Sequence, residues 1–165
     1  MSTLPGDDPN IVVALSIEAP GWPEEPALRD LATRALAAAS RLIRFAPVPD
    51  SEISLVFADD AAIQVLNASW RGKDWPTNVL SFPQQPDGPM LGDIVFARET
   101  VSREAALVGI AIEHHIAHLI IHGFFHLLGY DHEEEDEAER MEELERRALA
   151  SIGVADPYQA VPLDQ

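Results

Sequence analysis

The spacing of apolar and polar residues predicts four short β-strands. Residues 11–17 form an apolar, β-branched run between prolines, and residues 52–57 alternate before they become continuously apolar. Both patterns are typical of strands that bury at least one face. Two further strands are predicted over residues 78–82 and 91–97, with a proline-containing polar loop between them. Together the four segments indicate one small sheet.

Helical spacing of apolar residues predicts about five helices. Residues 28–43 carry an apolar stripe at helical intervals, with most arginines on the other faces. A second helix is predicted to begin after a cap at Asp59 or Asp60 and to end at Gly72. Three more helices are predicted over residues 98–108, 113–128 and 133–151.

These elements predict one domain spanning residues 1–165. The fold class is α+β: a small mixed four-stranded sheet with about five packed helices, and a candidate metal site on one helix and the turn after it. A chain of 165 residues with 47% hydrophobic residues can bury a core of its own. No signal-like N-terminus and no membrane-length apolar run occur, so a cytoplasmic protein without a membrane partner is expected.

Composition narrows the chemistry that this chain can perform. There are no cysteines, which removes disulfides, thiolate zinc sites and cysteine nucleophiles together. Histidine and carboxylate remain as the strong metal ligands. The formal charge of −17 argues against broad, non-specific nucleic-acid binding, and residues 131–145 alone hold ten acids against Arg140. Any contact with RNA therefore needs a local basic patch.

The strongest candidate chemistry lies in a histidine motif. All six histidines fall within residues 114–132. His122 and His126 are four residues apart, so a helix places both on one face. Gly129 can end the helix in a left-handed conformation, and His132 follows three residues later. Three converging imidazoles predict a zinc site with an open fourth position.

The other histidines are predicted to have supporting or structural roles. His118 lies one helical turn before His122, but three histidines in a straight row suit a tetrahedral metal poorly. We expect His118 to support a ligand or to pack in the core, with packing favoured. His114 and His115 lie near the helix start and are predicted to be surface residues.

Residue 123 bears on the type of hydrolase. Zinc proteases with the same histidine spacing, the metzincins, place a glutamate after the first histidine as the general base. Here that residue is Gly123. Proteolysis is therefore a weaker hypothesis than other zinc-dependent hydrolysis.

The histidine motif occurs together with several other motifs along the chain. It reads His-Gly-Phe-Phe-His-Leu-Leu-Gly-Tyr-Asp-His over residues 122–132. With its neighbours it covers about residues 50–158 and resembles the YbeY-type endoribonucleases, a family of bacterial rRNA maturation factors. The other matching segments are Leu66-Asn67, Arg71-Gly72-Lys73-Asp74, Thr77 to Pro83, Leu91 to Ile94 and Gly153 to Tyr158.

The resemblance implies an activity, a cofactor and partners. The expected activity is single-strand-specific endoribonuclease cleavage in 3′-end maturation of 16S rRNA and in ribosome quality control, with one zinc ion per chain. The expected partners are precursor rRNA, the small ribosomal subunit, a ribosomal protein and an assembly GTPase. The resemblance also implies that His122, His126 and His132 are the zinc ligands and that Arg71 lies in the RNA groove.

These parts suggest a mechanism. Zinc lowers the pKa of its bound water to about 7, so that hydroxide can attack the phosphodiester while Arg71 stabilises the developing charge. No general base is evident in the sequence. Further candidates for substrate binding or ligand support are Lys73, Asn78, Ser81, His118 and Asp131.

Two other function classes remain open. One is a zinc hydrolase of another substrate, such as a peptidase. The other is a non-catalytic ribosome assembly factor with a structural zinc. The acidic helix after His132 is predicted either to face a basic ribosomal protein or to be a plain solvated surface.

Overall fold

The structure is a computed structural model that describes residues 11–43, 50–84, 89–130 and 134–158. Within these ranges it contains the predicted α+β arrangement of four strands and five helices, so the fold-class prediction is confirmed. The strands are β1 (Val12–Ile17), β2 (Glu52–Ala58), β3 (Val79–Pro83) and β4 (Met90–Ala97). The helices are α1 (Glu25–Ser40), α2 (Asp60–Arg71), α3 (Arg98–Val108), α4 (Ile112–Leu127) and α5 (Glu135–Ser151).

The four strands form one mixed sheet in the order β1-β2-β4-β3. β1, β2 and β4 run parallel, while β3 pairs antiparallel with β4 and is the end strand on that side. Pro83 closes β3, which suits an end strand because proline cannot donate a backbone hydrogen bond.

Helices cover both faces of the sheet. On one face, the main core joins the sheet to α1, α4 and α5, with Phe57 and Phe96 stacked at a centroid distance of 4.8 Å. On the other face, Ile63 of α2 packs in a smaller cluster with Leu80 and Val95. Because side chains alternate along a strand, β3 contacts α4 with one face and α2 with the other.

Most predicted helix ends agree with the structure. Asp59 caps α2 by accepting a hydrogen bond from the Ala62 backbone N–H, and Gly72 ends this helix with φ of 70°. Gly129, with φ of 99°, supplies the predicted turn after α4. The prediction for α1 was displaced, because the helix begins at Glu25, next to a proline in its first turn, and ends at Ser40.

Helix α4 is apolar because many of its side chains are buried in the core. Within the described ranges no single helix is long and apolar enough to cross a membrane, although α3 and α4, bent by 116°, reach that length and composition as a pair.

Candidate functional site

Helix α4 presents a row of histidines beside a fully buried face. Ile116, Ile120 and Phe124 have no exposed surface and fix the helix against the sheet. His118, His122 and His126 follow at four-residue intervals and are each partly exposed. The amphipathic division of α4 therefore anchors the helix through its apolar side and keeps these three imidazoles partly exposed.

His122 and His126 face each other through their Nε2 atoms, which are 3.1 Å apart. The other nitrogen of each ring has a separate acceptor. His122 Nδ1 donates to Glu145 Oε2 at 2.7 Å, and His126 Nδ1 donates to the Tyr130 backbone oxygen at 3.0 Å. These partners assign the proton of each neutral ring to Nδ1. Both Nε2 atoms then present lone pairs to the same space.

This geometry fits a metal ion. Two lone pairs that approach this closely repel each other unless a cation neutralises them. Two imidazole nitrogens bound to one tetrahedral zinc at about 2.0–2.1 Å would be about 3.4 Å apart, close to the observed 3.1 Å. Metal-binding histidines usually donate their second ring N–H to a carboxylate or a carbonyl, as both do here.

Glu145 of α5 supports the pair from a position with no solvent exposure. Burial raises the pKa of this carboxyl, but hydrogen bonds from His118 and His122 outweigh it and lower the pKa to about 2. Besides His122, the carboxylate accepts hydrogen bonds from His118 Nε2 at 3.0 Å and from the Tyr158 hydroxyl. Glu145 is therefore an ionised acceptor surrounded by donors.

A second set of ligands overlaps the first. The candidate ligand atoms of His118, His122 and Glu145 lie within 4.8 Å of one another, so this group could also hold a metal ion. The two nitrogens of His122 point in different directions, and its Nε2 faces His126. Glu145 already accepts hydrogen bonds from three donors. We therefore favour His122 and His126 as the ligands, with Glu145 holding the His122 ring in place.

Glu145 and Tyr158 were not among the residues singled out from the sequence. Glu145 had a recognisable signal, because it lies four residues after Met141 and three before Ala148, on the buried stripe of α5. A carboxylate on such a stripe needs a buried partner. Tyr158 lies beyond α5 and had no comparable signal. Burial and the Glu145 charge raise the pKa of its hydroxyl well above the usual value, so the hydroxyl remains a donor.

Residue 123 is enclosed by the sheet. A Cβ added at Gly123 would lie 2.9 Å from Ile94 Cδ1 and 3.0 Å from Ser81 Oγ. Ile94 is fully buried, so it has little freedom to move aside. A side chain at this position, such as the metzincin glutamate, would therefore require Ile94 to shift, which gives a physical reason for the glycine. The same contact places Ser81 of β3 against α4 at Gly123, the residue after His122.

Asn78 and His115 belong to a second network. Asn78 Nδ2 donates to Glu104 Oε1 at 3.0 Å, and His115 Nε2 lies 2.8 Å from the same oxygen. The prediction that His115 is a surface residue was wrong, because its side chain is only 13% exposed in this ion-pair contact. Asn78 thus ties β3 to α3, and its substrate-binding role stays a prediction.

Arg71 and Lys73 belong to a different part of the fold from helix α4 and its histidines. Arg71 ends α2 and Lys73 follows it, and both are exposed. Because α2 covers the opposite sheet face, neither forms part of the histidine cluster. Asp131 and His132 fall outside the described residues, so their predicted roles stay predictions.

Comparisons with known proteins agree with the motifs. A sequence model of the family described as Endoribonuclease YbeY matches residues 21–153. An Endoribonuclease YbeY from Allorhizobium ampelinum is 55% identical, covering 88% of this chain and 93% of the relative. Another, from Rhizobium etli strain CFN 42, is 52% identical, covering 92% and 95%. A protein from Thermotoga maritima with a known solution structure shares the fold, with a TM-score of 0.57 at 22% identity, covering 93% of this chain and 99% of that one.

Proposed function

The chain belongs to the YbeY endoribonuclease family, and we propose that it is a zinc-dependent endoribonuclease of single-stranded RNA. Its proposed task is 3′-end maturation of 16S rRNA and ribosome quality control in the cytoplasm. The observation that carries the proposal is the 3.1 Å approach of the His122 and His126 Nε2 atoms, each ring held through Nδ1 by its own acceptor.

The proposed zinc ligands are His122 and His126, with His132 as the third. When bound there, zinc supplies a Lewis acid that lowers the pKa of water to about 7 and polarises phosphoryl oxygens. The protein contributes the orientation of the rings. Glu145 fixes His122 through a buried charged hydrogen bond, and the Tyr130 carbonyl fixes His126, so both Nε2 lone pairs stay directed at one point.

Substrate contacts are proposed to come from β3 and the end of α2. Ser81 lies against Gly123, the residue after His122, and its proposed role is to orient a sugar or a phosphate by hydrogen bonding. Arg71, the last residue of α2, and Lys73, two residues later, are exposed. Their proposed role is to bind the RNA backbone, and Arg71 is proposed in addition to offset charge at the scissile phosphate.

The net charge bears on whether the RNA substrate is bound free or within a particle. With −17 overall, free RNA should be bound weakly and with a strong dependence on salt. We propose that the RNA is presented in a small-subunit particle, where a ribosomal protein and an assembly GTPase add docking energy. Glu135, Asp136 and Glu139 of α5 are exposed and offer a negative surface to a basic partner.

The decisive experiment pairs zinc analysis with cleavage of a small-subunit rRNA precursor. His126→Ala should lose stoichiometric zinc and reduce cleavage by at least about 100-fold, because it removes a ligand outright. Arg71→Ala should keep zinc and lose cleavage. A rise in KM would assign Arg71 to RNA binding, and a fall in kcat would assign it to charge stabilisation.

His114→Ala is the matched control, since His114 is an exposed histidine on the same helix. It should keep both zinc and cleavage. Stoichiometric zinc in the wild type without cleavage that depends on Arg71 and His126 would contradict the nuclease proposal and favour a structural zinc.

A further inference from the structure

Two exposed tryptophans flank the basic residues Arg71 and Lys73 at the end of α2. Trp70 is 71% exposed and Trp75 is 57% exposed, whereas Trp22, the third tryptophan, is 9% exposed in the core. Tryptophan is highly buried on average, because its large ring gains much from leaving water. Two such rings in water within six residues therefore require an explanation.

The fold holds both tryptophans at the surface. The Trp70 ring rests edge-on against Phe82 of β3, with centroids 5.9 Å apart. The backbone oxygen of Trp75 accepts a hydrogen bond of 2.8 Å from the side chain of Asn67, which is buried. The Lys73 N–H also bonds back to the Asn67 carbonyl. These contacts hold the Trp70 ring and the backbone at Trp75 in place before any ligand binds.

Charge at this surface suits a polyanion. Within the described part of the chain, the side chains of Arg71 and Lys73 make no ion pair or hydrogen bond, whereas Arg29 is paired with an acid one turn away. The neighbouring Asp74 carboxylate accepts a hydrogen bond from Gln64 at 3.1 Å, which turns it toward α2. In the sequence, two unpaired cations thus lie between two exposed aromatic rings, in a protein with a net charge of −17.

The surface is continuous with the candidate metal centre across β3. Phe82, which contacts Trp70, is adjacent to Ser81, and Ser81 lies against Gly123 beside His122. Successive residues of a strand point to opposite faces. A chain that crosses the β3 end of the sheet therefore passes from the tryptophans to the histidine pair.

Resting on the proposed function, we infer that Trp70 and Trp75 form a stacking platform for bases of single-stranded RNA, with Arg71 and Lys73 binding the phosphates between them. Aromatic stacking with backbone cations is the general means of binding single strands with little sequence preference. Binding of duplex RNA is expected to be weaker, because its bases are already stacked on one another. Proteins recognise duplex RNA mostly by the shape of its wide minor groove.

The test measures binding rather than cleavage. The full chain with one equivalent of zinc is titrated with a 2′-O-methyl oligoadenylate of 12 nucleotides, and a gel verifies that the probe stays intact. Trp70→Ala and Trp75→Ala should each weaken binding by about 5- to 100-fold, the loss of one stacked base. Trp70→Phe should lose less, since it keeps an aromatic ring beside Phe82.

Tryptophan fluorescence assigns the contact to particular rings. Oligoadenylate should quench the wild type, and the double variant Trp70→Phe, Trp75→Phe should show no quenching, because the remaining Trp22 is buried against Phe57. Leu107→Ala is the control, since this side chain is 61% exposed on α3. It should bind as the wild type does.

Several results would overturn the platform. Wild-type affinity in both alanine variants, equal binding of a 12-base-pair duplex, or unchanged quenching in the double variant would each do so. Loss of particle association with unchanged oligonucleotide binding would assign the tryptophans to a protein partner instead. The proposed function is judged separately, because cleavage that depends on His126 and Arg71 can persist when the tryptophan variants bind normally.

Discussion

Two carboxylate–histidine contacts involve α4, and they are similar in length but differ in their surroundings. Near the middle of the helix, His122 donates to Glu145, which has no exposed surface and accepts from His118 and Tyr158 as well. Near the helix start, His115 contacts Glu104, whose side chain is 38% exposed. Both pairs are short, at 2.7 and 2.8 Å.

The difference lies in what the second ring nitrogen faces. His122 Nε2 faces His126 Nε2, so the Glu145 contact orients a lone pair toward a shared point. His115 uses Nε2 for Glu104 itself, and Glu104 also accepts a hydrogen bond from Asn78, the residue before β3. The first contact therefore orients the nitrogen that is proposed to bind zinc, while the second joins α3, α4 and the residue before the end strand of the sheet. Variants of the two carboxylates test this distinction.

The largest effect is expected for Glu145→Gln. Glutamine is neutral, and its NH₂ group is a donor. It would therefore face other hydrogen-bond donors at a position where the carboxylate oxygen accepts hydrogen bonds. Because the orientation of His122 depends on this acceptor, zinc affinity should fall by about 10- to 100-fold. The measurement is competition for zinc with a chromogenic chelator.

Two further variants sharpen the result for Glu145. Glu139→Gln changes an exposed acid of the same helix by the same chemistry and should leave zinc affinity unchanged. His118→Ala should cost much less affinity than His126→Ala. The reverse order would show that the metal uses His118, His122 and Glu145, and would refute the supporting role of Glu145.

A smaller effect is expected for Tyr158→Phe. The phenylalanine keeps the edge contact with the His118 ring, at 5.5 Å between centroids, but removes the hydroxyl that donates to Glu145. Since His118 and His122 still hold the carboxylate, zinc affinity should fall by less than the roughly 10-fold lower bound expected for Glu145. The same chelator assay measures it, and a loss as large as that of Glu145→Gln would make the tyrosine an equal partner.

The fold could be predicted from the sequence because the patterns that indicate its strands, helices and turns are local. Alternation predicted the strands, helical spacing predicted the helices, and Gly72 and Gly129 marked the turns that the structure shows. The end of α1 was misplaced because Leu42 and Ile43 continue the apolar pattern beyond Ser40 and pack on the core from a turn. A periodic pattern records burial and does not by itself distinguish a last helical turn from a packed one.

The candidate site could be predicted from the sequence only in part, because the hydrogen bonds that orient its histidines join residues far apart in the sequence. The spacing of His122 and His126 predicted that they face the same way, since a helix fixes that relation locally. Their buried acceptor, Glu145, comes from another helix 23 residues later, and no local period connects the two. His115 was misjudged for the same reason, since its partner Glu104 lies on α3.

The smallest effect is expected for Glu104→Gln and concerns stability alone. Burial raises the Glu104 pKa, but hydrogen bonds from His115 and Asn78 and the nearby Arg103 charge outweigh it, so the pKa lies below the usual 4.5. A depressed carboxyl pKa stabilises the fold above pH 4.5, and this contribution is lost as the pH falls through the folded-state value. Because the side chain is 38% exposed, solvent screening limits the contribution to less than about 1 kcal/mol.

Glu104→Gln should therefore lower Tm at pH 7 by no more than about 2–4 °C. The difference in Tm should shrink below pH 4.5, and zinc affinity should be unchanged. Thermal unfolding at several pH values measures it, with Glu113→Gln, an exposed acid at the start of α4, as the control. A drop in zinc affinity equal to that of Glu145→Gln would remove the distinction between the two pairs.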